Sequence, residues 1–404
     1  MKMKEKINNI FEQYLKKESL FKDKKVLQAS YIPDEINHRD EQIIQIANIL
    51  SPSLRLEKPS NLFVYGKTGT GKTLSLRYLA EQMLTLANNK KIPLKIIYVN
   101  CKLKKIADTE YRLIAQLARE FGKEIPPTGL PTDEVYNLFL QALGDEKRII
   151  ILILDEIDQL VKKAGDAIIY NLTRLTSELK NSQISIVGIS NDLVFSNNLD
   201  PRVKSSLSEE EVIFPPYNAV QLQDILRKRA AEAFKEGVLA EGVIQKCAAY
   251  AAREHGDARR ALELLRVAGE LAERKGNKKI TMKDIDEAED TIERDRIIEI
   301  VRNQPKQFQA TLYSIILNKN KSKNKFIQTG DVYDTYRQLC NNIGLRPLTQ
   351  RRISDVIAEL DMLGIINAKV ISKGRFGRTR DITLILPLSI ELKIKKILED
   401  DLFG

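Results

Sequence analysis

The chain has 404 residues, 43% of them hydrophobic and 30% charged, and a formal net charge of +10 at neutral pH. This length exceeds one ordinary core and points to two or three domains, while the composition excludes a disordered or collagen-like chain. No stretch approaches the roughly eighteen apolar residues of a spanning helix, and the lysine-rich start lacks the apolar centre of a signal peptide, so the expected place is the cytoplasm with no membrane partner.

Cysteine and histidine exclude more. Cys101, Cys247 and Cys340 are far apart and form no CxxC, and the only histidines are His38 and His255. A disulfide framework, a zinc site and histidine-based catalysis therefore have nothing to stand on.

In chain order, Ile7, Ile10, Phe11, Tyr14 and Leu15 recur at helical spacing and suggest an amphipathic arm. Next, "NLFVYGKTGTGKTLSLRYLAEQML" (61–84) reads as buried strand, glycine-rich turn and helix. Its centre, Gly66, Lys67, Thr68, Gly69, Thr70, Gly71, Lys72 and Thr73, fits GxxxxGK[ST] in the required context. In such a loop the glycines let successive N–H groups point at phosphate oxygens, and the following helix adds its positive end. Lys72 is placed to reach β/γ phosphates, and Thr73 to offer its hydroxyl to Mg²⁺. ATP or ADP with Mg²⁺ is the expected cofactor.

Strands follow at "LKIIYVNC" (94–101), "RIIILILDEIDQL" (148–160) and "ISIVGISND" (184–192). The aliphatic run of the second describes a strand buried on both faces, as in a parallel sheet, and a ligand site belongs at its carboxyl end. There Asp155 is placed to hold Mg²⁺, and Glu156 to orient or deprotonate a water; adjacent acids also serve as helix caps. Asn191 at a strand tip suits a water against a γ-phosphate, and equally a turn. Beyond the sheet lies helical sequence, in which Gly256-Asp257 opens a helix with Arg259 in its first turn. Arginine there opposes the helix dipole, which an anionic ligand would explain and a solvated surface position would tolerate.

From Pro305 to Arg380 the chain carries fourteen Lys/Arg against five Asp/Glu, nearly all of the excess charge. That is the electrostatic footprint of a nucleic-acid partner. Three helices are expected, over "KQFQATLYSIILNKN", "TGDVYDTYRQLCNNIG" with Thr329 near its cap, and "LTQRRISDVIAELDMLG" capped by Thr349. In the third, Ile353, Val356, Ile357 and Leu360 form the apolar stripe, leaving Arg351, Arg352 and Ser354 outward. The hairpin "INAKVISK", "GRFGR", "TRDITLIL" completes a winged helix, with Lys373, Arg375, Phe376, Arg378 and Arg380 as candidate DNA contacts.

The order of phosphate loop, "LDEID", "GISND", "LDPRVKSSL" and "GDARRAL" resembles the initiator branch of the AAA+ ATPases. The nearest family is the archaeal replication initiators, similar to eukaryotic origin-recognition and licensing subunits. The resemblance runs from "YIPDEINHRDEQI" (31–43) to the basic tail. It implies an α/β fold: a P-loop parallel sheet with helices on both faces, a helical lid and a C-terminal winged helix. Expected domains are 1–215, 216–300 and 301–404.

The resemblance also implies roles. Asn191 and Arg259 would be the two sensors of nucleotide state, Tyr217 and Arg229 lid contacts to nucleotide, and Tyr31, Ile32 and Pro33 the adenine wall. Arg202 would touch a neighbouring subunit's nucleotide. The segment 108–143 would be the family's helical insertion that touches DNA, although its charge is balanced. The implied function is an ATP-switched initiator, associated with the nucleoid, that binds double-stranded origin DNA and recruits or loads the replicative helicase. It would hydrolyse ATP slowly and assemble with other initiator subunits. The alternative is an ATP-regulated transcription or signalling factor with the same winged helix.

Overall fold

A computed structural model of the chain describes residues 11–12, 18–102, 109–126, 129–143, 147–179, 181–207, 209–321, 326–372 and 378–403. The chain divides into two units, Met1–Ile285 and Asp286–Gly404. The expected N-terminal arm lies almost wholly outside the described residues.

In the first unit, helix α1 (Asp40–Leu50) precedes β1 (Leu62–Tyr65), α2 (Lys72–Lys90) and β2 (Leu94–Asn100). Then come α3 (Glu110–Glu120), α4 (Thr132–Leu143), β3 (Arg148–Asp155), α5 (Ile157–Ala164), α6 (Ala167–Glu178) and β4 (Ser182–Ser190). Helix α7 (Pro201–Leu207) and β5 (Glu210–Ile213) complete the sheet, whose order is β2-β3-β4-β1-β5 with every pairing parallel.

Strand alternation decides why both faces are covered. Ile150, Leu152 and Leu154 of β3 join one core with Leu113, Leu117, Phe139 and Ile168 from α3, α4 and α6. Ile149, Ile151 and Ile153 point the other way, into a core with Ile46 and Leu50 of α1 and Leu76 and Met83 of α2. Each fully buried aliphatic side chain contributes about 1.5–3 kcal/mol relative to exposure. The helices α3 and α4 are the material of the expected insertion, and their apolar faces are part of the main core.

Register brings the strand ends together. Asn100 lies opposite Asp155, Asp155 opposite Ile189, and Tyr65 opposite Ser190. The loop after β1 and the residues after β3 and β4 therefore leave the sheet from one edge.

The lid consists of α8 (Ala219–Ala233), α9 (Val243–Arg253) and α10 (Ala258–Lys275). An Asn218–Gln221 capping box starts α8, and Asp257 caps α10 by accepting from the N–H of Arg259 at 2.8 Å and of Arg260 at 3.2 Å. The N-terminal segment straps onto this lid. Phe21 bridges Phe234, their rings 4.6 Å apart, and Phe21 fills the space that a side chain at Gly269 would need.

The second unit opens within α11 (Met282–Arg302) and continues with α12 (Lys306–Lys321), β6 (Ile327–Gln328), α13 (Thr329–Asn342) and α14 (Gln350–Met362). Strands β7 (Ile366–Ser372) and β8 (Arg378–Leu384) pair antiparallel, β6 joins the outer side of β8, and α15 (Leu388–Phe403) follows. Helices α12, α13 and α14 with the three-stranded sheet form the winged helix of this unit, flanked by α11 and α15. Its core gathers Tyr336, Ile353, Ile357, Leu360, Ile382, Ile394 and Leu398. The α/β class, the parallel sheet with helices on both faces, the lid and the winged helix are as expected. The cap of α13 is Gln328, in a box with Asp331, one residue before the expected Thr329.

Candidate nucleotide site and nucleic-acid face

The glycine-rich loop takes its shape from backbone that side chains resist. Gly69 has φ +70° and Gly71 φ +92°, and a Cβ on Gly69 would stand 1.7 Å from Asp257 Oδ1. A Cβ on Gly71 would stand 2.7 Å from the Tyr217 hydroxyl. Lid and loop approach each other that closely because Ala258 N–H, at the start of α10, donates to the Gly69 carbonyl at 3.2 Å.

Lys72 is 5% exposed and donates to the carbonyls of Gly66 at 2.6 Å and Lys67 at 2.8 Å, and to Asn191 Oδ1 at 2.9 Å. Burial pulls its pKa down to about 8, against the opposing pull of Asp155. Thr73 Oγ1 donates to Asp155 Oδ2 at 2.9 Å, and Tyr98 Oη donates to the same oxygen at 2.5 Å. The other carboxylate oxygen of Asp155 accepts from Glu156 N–H at 3.0 Å. Glu156 itself sits at φ +56°, ψ +46°, a left-handed backbone that costs a non-glycine residue, and its carboxylate lies 3.7 Å from Lys102 Nζ.

These residues form one cluster: Lys72, Thr73, Asp155, Glu156 and Asn191, from three separate strand or loop ends. Beside it lies a cavity of about 360 Å³. Its walls include Tyr31, Ile32 and Pro33 from the N-terminal segment, Gly69, Gly71 and Thr73 from the loop, and Tyr217, Arg229 and Arg259 from the lid side. Gly66, Lys67, Thr68 and Thr70 belong to the loop without lining that cavity.

Arg229 is 7% exposed, its guanidinium 4.3 Å from the centre of the Tyr31 ring, and its Nη1 has no hydrogen-bond partner among the described residues. Burial lowers its pKa. A buried cation with an unanswered donor at a cavity wall favours an anion there. Arg259 is exposed and faces the same cavity. Arg202 lies apart, its guanidinium forked onto Asp200 by bonds of 3.1 Å to each carboxylate oxygen.

Sequence reasoning missed two side chains. Tyr98 reaches Asp155 from β2, with Arg77 over its ring, and burial pushes its hydroxyl up to about 12. Arg39, six residues beyond the expected adenine wall of Tyr31, Ile32 and Pro33, is buried against the loop. Both reach partners far away in sequence.

On the winged helix, Thr349 caps α14 by accepting from Arg352 N–H. Arg351 and Arg352 are exposed, Arg352 lying 3.9 Å from Asp355, while Ile353, Ile357 and Leu360 are buried. Ser354 is half-buried, and its carbonyl accepts from Arg380 Nη1 at 2.5 Å. Arg380 N–H also donates to Thr329 Oγ1 at 3.3 Å. So Arg380 ties the wing to two helices. Lys373, Arg375 and Phe376 lie outside the described residues, as does the side chain of Arg378.

Comparison with known proteins agrees along the whole chain. Three family models match: an AAA domain over residues 55–193, a Cdc6 AAA+ ATPase-type lid domain over 223–290, and a CDC6 C-terminal winged helix domain over 299–391. An ORC1-type DNA replication protein of Pyrococcus furiosus is 53% identical over 400 residues, which span 98% of this chain and 94% of that protein. The ORC1-type DNA replication protein 1 of Methanosarcina mazei is 50% identical over 395 residues, with the same coverage of 98% and 94%. Among solved structures, the Aeropyrum pernix Orc1 protein in complex with DNA is 43% identical with a TM-score of 0.81, covering 94% of this chain and 97% of that one. Cdc6p from Pyrobaculum aerophilum shares the fold, at 24% identity and a TM-score of 0.60 over 95% and 100% of the two chains. The family that the motif order resembled is the one found, and this chain belongs to the ORC1-type DNA replication proteins.

Proposed function

We propose that this chain is an ATP-switched replication initiator, which binds double-stranded origin DNA and helps recruit or load the replicative helicase. The observation that carries the reading is the match, over 94% of the chain, to an Orc1 protein solved with DNA. The nucleotide half has geometric support of its own. Thr73 and Asp155 place a hydroxyl and a carboxylate 2.9 Å apart, hard oxygen donors of the kind that hold Mg²⁺. That ion would supply positive charge to the phosphates.

The protein's own residues then divide the work. Backbone N–H groups of 66–73 cradle phosphates, Lys72 answers the β/γ oxygens, and Tyr31, Ile32, Pro33, Tyr217 and Arg229 enclose the rest of the nucleotide. Glu156 orients or deprotonates the water whose oxygen attacks the γ-phosphorus, and Asn191 holds that water. The bond to the ADP oxygen breaks, leaving ADP and phosphate. Arg259 reads the phosphates from the lid, and Arg202 meets a neighbouring initiator subunit's nucleotide when subunits assemble. Turnover is slow and serves as a timer.

The domains of this reading are 1–215, 216–300 and 301–404. DNA contact falls to Arg351, Arg352 and Ser354 of α14, and to Lys373, Arg375, Phe376, Arg378 and Arg380 of the wing. Among the described residues no helix is long and apolar enough to cross a membrane; we place the protein in the cytoplasm, on the nucleoid.

Mapping the chain's bound sites on the chromosome of its own cell tests the function. Occupancy at replication start regions supports it, and occupancy confined to promoters would return the transcription-factor reading. Duplex affinity of the full chain that does not fall with salt would remove the electrostatic argument.

A further inference from the structure

Arg39 heads the largest side chains withdrawn from solvent, at 2% exposed, yet it is charged. Burying a cation is costly unless its donors are answered. Here Nε donates to the Thr70 carbonyl at 2.8 Å, Nη2 to the Pro215 carbonyl at 2.6 Å, and Nη1 to the His38 carbonyl at 3.2 Å. Its guanidinium also lies 3.8 Å from the centre of the Tyr217 ring. The three carbonyls come from three places: the phosphate loop, the segment leading from β5 into the lid, and the turn before α1. A planar fork with five donors can bridge them; an ammonium on a single flexible stem cannot.

Planarity of the peptide unit gives this a consequence. The Thr70 C=O and the Gly71 N–H belong to one trans peptide and point in opposite directions. Holding that carbonyl toward Arg39 turns the Gly71 N–H to the opposite side, where a phosphate cradle needs it. The Pro215 bond fixes the approach of Tyr217, whose hydroxyl closes on Gly71. Arg39 does not line the 360 Å³ cavity.

We infer that Arg39 is a positioning residue for nucleotide. It presets the loop peptide 70–71 and joins the loop to the entry of the lid, so affinity depends on a side chain that the nucleotide never touches. This inference rests on the nucleotide reading above.

The test uses the full chain, with titration calorimetry of ATP and of ADP and with melting followed with and without nucleotide. Arg39→Met, which keeps length without donors, should bind both nucleotides about tenfold or more weakly, because only about a tenth of the molecules would hold the competent loop. The rise in Tm caused by ATP should shrink in step. A merely structural role would lower the Tm of the free protein and leave nucleotide affinity intact, and that result overturns the inference. Should Arg39→Met not fold, Arg39→Lys decides: several-fold weaker ATP binding supports the inference, and wild-type affinity overturns it. A wild-type chain that binds neither nucleotide would instead overturn the nucleotide reading itself.

Discussion

Lys72 Nζ donates to Asn191 Oδ1 across 2.9 Å, joining the phosphate loop after β1 to the tip of β4. The two strands are neighbours with Tyr65 opposite Ser190, so the segments that follow them start from the same end of the sheet. The proposed phosphate sensor and the proposed phosphate-binding lysine thus share one hydrogen bond.

Removing either side of that bond should have separable effects. Lys72→Ala is expected to abolish ATP binding, measured by calorimetry. Asn191→Ala should keep ATP affinity within a few-fold and lower turnover by about a hundredfold, the scale of one lost transition-state donor. Equal loss of binding in both variants would contradict the division of roles.

Glu156 is held by a left-handed backbone at the end of β3, where its side chain makes no cap bond to α5 and its carboxylate lies 3.7 Å from Lys102 Nζ. Glu156→Gln should therefore bind ATP as the wild type does and stop phosphate release. Continued hydrolysis would move the base to another residue. The readout is a single-turnover assay alongside ATP affinity.

Arg351 and Arg352 stand exposed at the start of α14, a helix whose other side is anchored in the core. Replacing both by alanine should weaken duplex binding and reduce the salt slope by up to about two, since each neutralised phosphate contributes about 0.9. Arg375→Ala with Arg378→Ala should act likewise from the wing. In both pairs ATP binding should be unchanged.

Tyr336 is buried in the winged helix, where its hydroxyl accepts from Leu348 N–H at 2.9 Å, and burial pushes its pKa up to about 12. The unfolded chain loses this proton near the ordinary value of about 10, so above that pH the folded state binds more protons than the unfolded one. The stability this group contributes is full below about pH 10 and is lost as pH rises toward 12. Denaturant unfolding of the winged helix between these values should show the fall, and Tyr336→Phe should flatten it. An equal pH slope in both proteins would assign the effect elsewhere.

What could be read from sequence depended on how local each signal was. The loop Gly66–Thr73 and the pair Asp155-Glu156 are contiguous motifs, and the caps Asp257 and Thr349 act on N–H groups two or three residues away. The apolar stripe of α14 is likewise written at helical spacing. Arg39 and Tyr98 were illegible for the opposite reason: their partners lie at 70, 215 and 155, and only the folded chain brings them near. Arg380 reads as one more basic residue of a wing until its bond to the Ser354 carbonyl is seen. The cap of α13 shifted to Gln328 because its side chain and Asp331 answer each other, a reciprocity that favours no obvious residue type.

The bond from Arg380 to Ser354 also bears on how the winged helix can evolve. It fastens β8 to the second turn of α14, and the Arg380 N–H fastens the same strand to Thr329 at the start of α13. Helix and wing are thereby set at one spacing, like two teeth cut on the same key. A change of preferred DNA sequence can come by swapping side chains on either tooth. If both touch duplex DNA, as proposed above, a change in the distance between the two contacts would require recutting residue 380 itself.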